Sequence, residues 1–284
     1  MSLVLVRYAE MGLKSRPVRQ RFENMLLENM LEALGSRGVE ALISSDHSRI
    51  YVQVDDEGSA IEVLSRVFGV ASLSPVVECG AEMAEIGRTA AEMSLPLIGM
   101  GDSFAVRARR DGVHAFTSLD LNREVGSAIW MANDGKGVSV DLKDPNVEIF
   151  VEVRGSRAFV FHRTIAGPGG LPLGSQGKVL AVVHERKDIL AAWLMMKRGC
   201  RVAVVTGDPS LVEGLMNWDV NLRVESPANT SYMRERWGAL ATVYGHTSWE
   251  MDRTLWTDPE LPVFFPLIGM DEGEIERRLA AIES

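Results

Sequence analysis

Residues 165–199, IAGPGGLPLGSQGKVLAVVHERKDILAAWLMMKRG, constrain what this chain can fold into more than any other stretch. Gly167, Gly169, Gly170, Gly174 and Gly177 lead into an apolar run, Val179–Val183, that reads as a strand. A polar turn, His184–Asp188, follows, and the spacing predicts a helix from about Ile189 to Lys197. Strand, turn and helix in succession set a helix N-terminus and its free N–H groups at a strand end, the geometry that receives a phosphate. The turn itself, His184-Glu185-Arg186-Lys187-Asp188, has no glycine to let backbone approach an anion closely. A nucleotide-site context thus surrounds a turn unsuited to a nucleotide.

The rest of the chain is organised in blocks that can carry such a site. Its 284 residues suffice for two or three domains. Leu3–Tyr8 reads as a strand, and Lys14 to Leu34 carries a helical stripe through Val18, Phe22, Met25, Leu26, Met30 and Leu34. Strands at Val39–Ser44 and Ile50–Val54, a short helix at Ala60–Phe68 and a strand at Val70–Val77 complete a βαββαβ order. That order is the ferredoxin-like arrangement, assigned to residues 1–77. A second α/β module, residues 78–165, has a helix at Glu82–Met93 stopped by Leu95-Pro96 and a strand at Ser103–Arg109. A further helix is capped by Ser118 or Asp120, and strands follow at Val138–Leu142, Val147–Val153 and Ala158–His162. In residues 166–284, apolar strands (Val179–Val183, Val202–Val205, Ala239–Tyr244, Val263–Phe265) alternate with helical segments, the pattern of a parallel sheet. Asp271-Glu272-Gly273-Glu274 reads as a capping box.

Composition narrows the function classes. No apolar run approaches the roughly 20 residues of a membrane span. The opening MSLVLVRYAE lacks the basic n-region of a signal peptide. The two cysteines, Cys79 and Cys200, are too few for a disulfide framework and read as small core residues, so a cytoplasmic location is expected. The five histidines show no metal-ligand spacing, and no metal site is expected. Net charge is −9, with an acidic excess both before and after residue 165, so any RNA surface must be a local cluster.

Several stretches, in order, resemble the tRNA 4-thiouridine sulfurtransferase family, also named for thiamine biosynthesis. They are RYAEMGLKSRPVRQRF, RRDGVHAFTSLDLNREVGSAI, VDLKDPNVEIFVEVRGSRAFVF, GPGGLPLGSQGKVL, LMMKRG and FFPLIGMDEGEIERRLAAI. The resemblance implies an α/β chain with an α+β N-terminal half: a ferredoxin-like domain, a THUMP domain (78–165) and a PP-loop-like, adenine nucleotide hydrolase-like domain (166–284). In such proteins the first two domains hold the acceptor end of tRNA. The third adenylates a uridine with ATP, and a persulfide sulfur replaces the activated oxygen.

This chain departs from the family at the PP-loop. Where the family has S-G-G-x-D-S, it has His184, Glu185, Arg186, Lys187, Asp188 and Ile189, of which only Asp188 matches. Glu185 sets a carboxylate where pyrophosphate would lie, and Ile189 cannot donate to a phosphate. The family's G-E-S is represented by Gly245-His246-Thr247-Ser248, and neither cysteine has a persulfide context. Arg186 and Lys187 could grip a phosphate or form a solvated turn. Asp188, the one candidate catalytic residue, is either a carboxylate orienting magnesium or uridine, or the N-cap of the helix. His184 has no visible partner for general-base work.

Candidate RNA contacts are Lys14, Arg16 and Arg19, with Arg21, at a helix start; Arg107, Arg109 and Arg110 at a strand end; and Arg123 and Lys143. Arg107 and Arg109 share one strand face. These would be phosphate contacts that position the RNA without reading sequence. Trp218, Trp237, Trp249 and Trp256 are expected to be buried. The resulting expectation is a tRNA-binding protein without adenylation of its own, serving a separate catalytic or sulfur-donor protein. The alternative is an active thiouridine synthase using ATP, Mg²⁺ and an external sulfur donor. A third possibility assigns the last unit to another ligand or to a homodimer.

Overall fold

The structure, a computed structural model, describes residues 1–8, 15–46, 49–251 and 261–283. Lys14 and Trp256 lie outside the described residues. The opening block runs β1 (Ser2–Arg7), α1 (Arg16–Ser36), β2 (Ala41–Asp46), β3 (Arg49–Val54), α2 (Glu57–Leu64) and β4 (Ser72–Gly80), the expected order. Next come α3 (Met83–Leu97), β5 (Ser103–Asp111), α4 (Ser118–Ala132), β6 (Ser139–Val140), β7 (Val147–Arg154), β8 (Arg157–Phe161) and β9 (Ile165–Ala166). The last block holds β10 (Lys178–Val182), α5 (Arg186–Lys197), β11 (Arg201–Val205), β12 (Arg223–Glu225), α6 (Thr230–Glu235), β13 (Thr242–Tyr244), β14 (Val263–Phe264) and α7 (Glu272–Glu283).

Two compact units result: Met1–Val6, Ile50–Glu57 and Leu73–Ile165 form one, and Arg7–Arg49, Gly58–Ser72 and Ala166–Ser284 the other. Within the first, the strands lie in the order β3-β1-β4-β8-β7-β5-β6. β5 pairs parallel with β7, and β8 pairs antiparallel with both β7 and β4. Alternation along the strands decides which side chains meet the helices. Phe104 and Val106 of β5 and Ile149, Val151 and Val153 of β7 join Ile86 and Ala90 of α3 and Leu121, Val125 and Ile129 of α4 in one core. Arg107 and Arg109 therefore belong to the opposite sheet face.

Two helix boundaries differ from the sequence expectation here. The N-cap of α4 is Thr117, not Ser118 or Asp120; Thr117 Oγ1 accepts from the Asp120 N–H, and the Asp120 carboxylate accepts from the Thr117 N–H. Pro96 lies inside α3 and does not stop it. Pro96 is the last residue but one of the helix, so its missing N–H affects only the final turn, and the Ile98 N–H still reaches the Ser94 carbonyl at 3.0 Å. β6 and β13 are also shorter than their apolar runs, because only part of each run pairs in a sheet.

In the second unit the sheet order is β12-β11-β10-β13-β14, with every pairing parallel and β10 central. Phe68, in the chain between α2 and β4, is 1% exposed in the core of this unit. Its ring centroid lies 5.4 Å from both Trp193 and Trp218, which meet edge-on at 5.3 Å. The glycine-rich segment serves the same packing. The Gly69 N–H donates to the Gly169 carbonyl, the Gly169 N–H to Val70 and the Gly167 N–H to Ala71. A Cβ on Gly170, which has φ +75°, would stand 2.1 Å from the Lys197 carbonyl oxygen. These glycines admit close backbone packing within the unit and do not line the turn before α5.

Gly170→Ala combines a strained φ with a backbone clash and is expected to cost about 2–3 kcal/mol or more in denaturant unfolding. Phe68→Ala should cost about 3–5 kcal/mol by the same measurement.

Candidate functional site

The parallel sheet of the second unit reverses its strand order at β10, with β11 on one side and β13 on the other. Ligands of open α/β sheets bind at the carboxyl ends of the strands at such a point. The turn between β10 and α5 lies there. The helix begins at Arg186, three residues before the expected start, and its N-cap is Glu185 (φ −142°, ψ 168°). Asp188 is therefore not the N-cap; it occupies the third helical position and turns back.

Its side chain fills the helix N-terminus. Asp188 is 5% exposed, and its Oδ2 accepts from the backbone N–H groups of His184 at 2.9 Å and Glu185 at 3.0 Å. These are N–H groups that a phosphate-binding turn would offer to its ligand. Gly245, after β13, closes over the same carboxylate: a Cβ there would lie 2.1 Å from Asp188 Oδ1 and 2.7 Å from Asp188 Cα. Only glycine fits between the strand end and the helix start.

The cations of the turn are also committed. Arg186 forks onto Glu283 at 2.9 and 2.7 Å and reaches Glu276 at 2.6 Å, both on α7. Those two carboxylates raise its pKa above the usual arginine value. Lys187 pairs with Glu185 at 3.0 Å and hydrogen-bonds Glu250. Burial pulls the Lys187 pKa down, but these two glutamates outweigh it and the net shift is upward. Lys187 and the Thr247 N–H together hold Glu250 down to about 2. Arg186 and Lys187 are thus a neutralised pair inside an acidic surround, and His184 is exposed.

Among the described residues, no group of three or more His, Cys, Asp or Glu side chains is arranged to hold a metal ion. Cys200 is buried and Cys79 half-buried; burial pushes both thiols up, away from the thiolate that sulfur chemistry uses.

In the first unit, Arg109, Arg110 and Arg123 are exposed. The Ala108 N–H donates to Asn122 Oδ1 at 2.8 Å, so α4 abuts β5 there, one residue before Arg123. Arg107 does not join them freely: its Nε donates to Glu148 at 2.8 Å and its Nη2 to the Leu142 carbonyl at 2.8 Å. Lys143 is exposed beyond β6. Arg16, exposed, and Arg19, half-buried, lie on α1 in the other unit.

The family model of the ThiI ferredoxin-like domain matches residues 3–74, and that of the THUMP domain matches residues 80–163. The tRNA sulfurtransferase of Pyrobaculum aerophilum is 33% identical over 330 aligned positions, covering 99% of this chain and 67% of that protein. The chain belongs to the tRNA sulfurtransferase family. A probable tRNA sulfurtransferase of Methanosarcina acetivorans is 41% identical over 208 residues, covering 72% of this chain and 50% of its own length. The chain spans about half the length of several curated relatives it matches. Among solved structures, PH1313 from Pyrococcus horikoshii superposes with TM-score 0.87 at 30% identity over the whole of both chains. A 4-thiouridine synthetase, solved with RNA and bound ATP, superposes with TM-score 0.81 at 22% identity, over 99% of this chain and 85% of that one. That likeness establishes the fold: ferredoxin-like and THUMP domains followed by a parallel-sheet domain.

Two features of this family member escaped the sequence reading. One is the Lys187–Glu250 pair, whose partners are 63 residues apart in the chain. The other is Trp249, which is 93% exposed where burial was expected. The turn that presents it is fixed by the Glu250 carboxylate, which accepts from the Thr247 N–H and hydroxyl at 2.9 and 2.8 Å.

Because the folded state depresses the Glu250 pKa, its stabilisation is full above the ordinary 4.5 and fades as pH falls towards about 2. Glu250→Gln should lower stability at neutral pH by about 0.2–1 kcal/mol, the range of a partly exposed pair, and the deficit should vanish at the acid end of a pH series of urea melts.

Proposed function

We propose that this chain is a tRNA-binding member of the tRNA sulfurtransferase family whose α/β domain does not bind the phosphates of ATP. It presents tRNA to a separate protein that activates the uridine or donates the sulfur. The observation that carries this reading is the Asp188 carboxylate, which already accepts the His184 and Glu185 N–H groups. Hydrogen bonds to a charged group contribute about 1.5–3 kcal/mol each. A triphosphate would have to displace both while facing Glu185, Glu250, Glu276 and Glu283. The pairing of Arg186 and Lys187 with those glutamates supports the same conclusion. The THUMP match and the exposed Arg109, Arg110 and Arg123 support binding of tRNA, a shape recognised through its backbone.

A second reading, an active thiouridine synthase, is favoured by the Pyrobaculum tRNA sulfurtransferase that aligns along 99% of this chain. It requires Asp188 to leave its cap and take up magnesium or orient the uridine.

Titrating one preparation with Mg²⁺·ATP and with tRNA at two salt concentrations separates the two. The expected result is salt-sensitive tRNA binding and no saturable ATP binding. Tight ATP binding with Mg²⁺-dependent adenylation of tRNA would establish the second reading instead. Arg109→Glu with Arg123→Glu should weaken tRNA binding at least tenfold and flatten its salt dependence by roughly one counterion per lost phosphate contact.

A further inference from the structure

The end of the THUMP domain where α3 and α4 both stop carries four exposed apolar side chains that the function proposed above does not use. Leu95 lies in the last turn of α3, Met100 in the loop after it, and Trp130 and Met131 in the last turn of α4. Met100 is 78% and Met131 70% exposed, and Leu95 and Trp130 are each exposed to nearly half. Hydrogen bonds bring the two helix ends together. Asn133 Nδ2 donates to Ser94 Oγ at 2.8 Å, Lys136 Nζ to the Leu95 and Ile98 carbonyls at 2.7 and 2.8 Å, and the Gly101 N–H to the Lys136 carbonyl at 2.8 Å. Ile86 and Ala90 of α3 and Leu121, Val125 and Ile129 of α4 fill the core beneath, which leaves the four side chains outside it.

Apolar side chains exposed singly need no explanation, but a cluster of them rimmed by charge marks an interaction surface. Methionine and tryptophan are both enriched in protein interfaces. The surface is also held in place by the hydrogen bonds just described, so a partner has little backbone to order on binding.

Charge selects the occupant. Within about one turn of these residues along the chain lie Glu92, Asp102 and Asp134, against Lys136, whose ammonium is taken up by two carbonyls. The carboxyl ends of two helices add their negative dipoles. Such a rim opposes an RNA backbone or an anionic membrane, and a two-fold related copy would set acidic rims against each other. It suits a protein whose apolar face is ringed by lysine and arginine.

We propose that the joint carboxyl end of α3 and α4 docks a protein partner through Leu95, Met100, Trp130 and Met131, and that the partner meets the acidic rim with basic residues. That this partner is the separate protein to which tRNA is presented rests on the function proposed above. Arg123 and Met131 lie roughly 12 Å apart along α4 at about 1.5 Å per residue, so one helix carries both an RNA arginine and the docking end.

Photo-crosslinking from the full chain, with p-benzoylphenylalanine replacing Met100 or Met131 in the cells that make it, finds the partner; the exposed Glu40 serves as control position. The captured protein is identified by mass spectrometry, purified and titrated against the full chain. Met100→Lys with Met131→Lys, checked for folding by a thermal melt, should weaken its binding at least roughly thirtyfold, the loss expected at the centre of an interface. Asp134→Lys should weaken it less and reduce its salt dependence. The tRNA affinity of all three altered positions should match the unaltered chain. Adducts to RNA, to lipid or to a second copy alone, no adduct beyond that at the control position, or unweakened binding by the folded double variant overturns the inference. If the variants lose the partner but the chain binds no tRNA, or the partner displaces tRNA, the docking surface stands and the tRNA-presenting reading fails.

Discussion

The local structure around the candidate nucleotide site depends on one carboxylate. Asp188 Oδ2 takes two backbone N–H groups at the start of α5, and this fixes where the helix begins and how the strand before it ends. A helix leaves its first N–H groups without partners inside the helix, and something must satisfy them. In a nucleotide-binding turn the ligand does so; here the third helical residue takes the N–H groups of Glu185, the N-cap, and of His184 before it. The same carboxylate sets the approach of β13, because Gly245 can pack on it only without a side chain. Cap, strand end and glycine form one closed arrangement.

Electrostatics follows from that closure. With the His184 and Glu185 N–H groups taken, an anion would also depend on the Arg186 and Lys187 side chains, and α7 and the turn at Glu250 neutralise both. In the other unit the balance is reversed at short range: Arg109, Arg110 and Arg123 stand exposed on a chain whose net charge is −9. A local positive cluster on an acidic chain suits a partner that is polyanionic and recognised at one place. On the proposed function, RNA affinity is retained in the THUMP unit and phosphate affinity is lost from the α/β unit.

Much of this was legible in the sequence. The βαββαβ order, the parallel pattern after residue 178 and the anomaly of the 184–189 turn all follow from periodicity and composition, because each depends on neighbours within a few residues. The role of Asp188 was half legible: a carboxylate near a helix start suggests a cap, but whether it serves as the N-cap or folds back from the third position depends on backbone angles at Glu185. The glycine-rich run suggested a phosphate context, while in the structure Gly170 admits the Lys197 carbonyl. That contact joins two stretches of the chain, which no local pattern encodes. The exposure of Trp249 was illegible for the same reason: a tryptophan signals burial until the turn carrying it is pinned outward by Glu250.

The most direct measurement of the central claim is an amide NMR titration of the full chain with Mg²⁺·ATP, following the His184 and Glu185 N–H signals. If Asp188 holds them, both stay unshifted and protected from exchange up to the highest nucleotide concentration of the titration, and Asp188→Ala exposes them. Saturable shifts of these two amides in the unaltered chain would show that the cap yields to a phosphate, and would contradict the account.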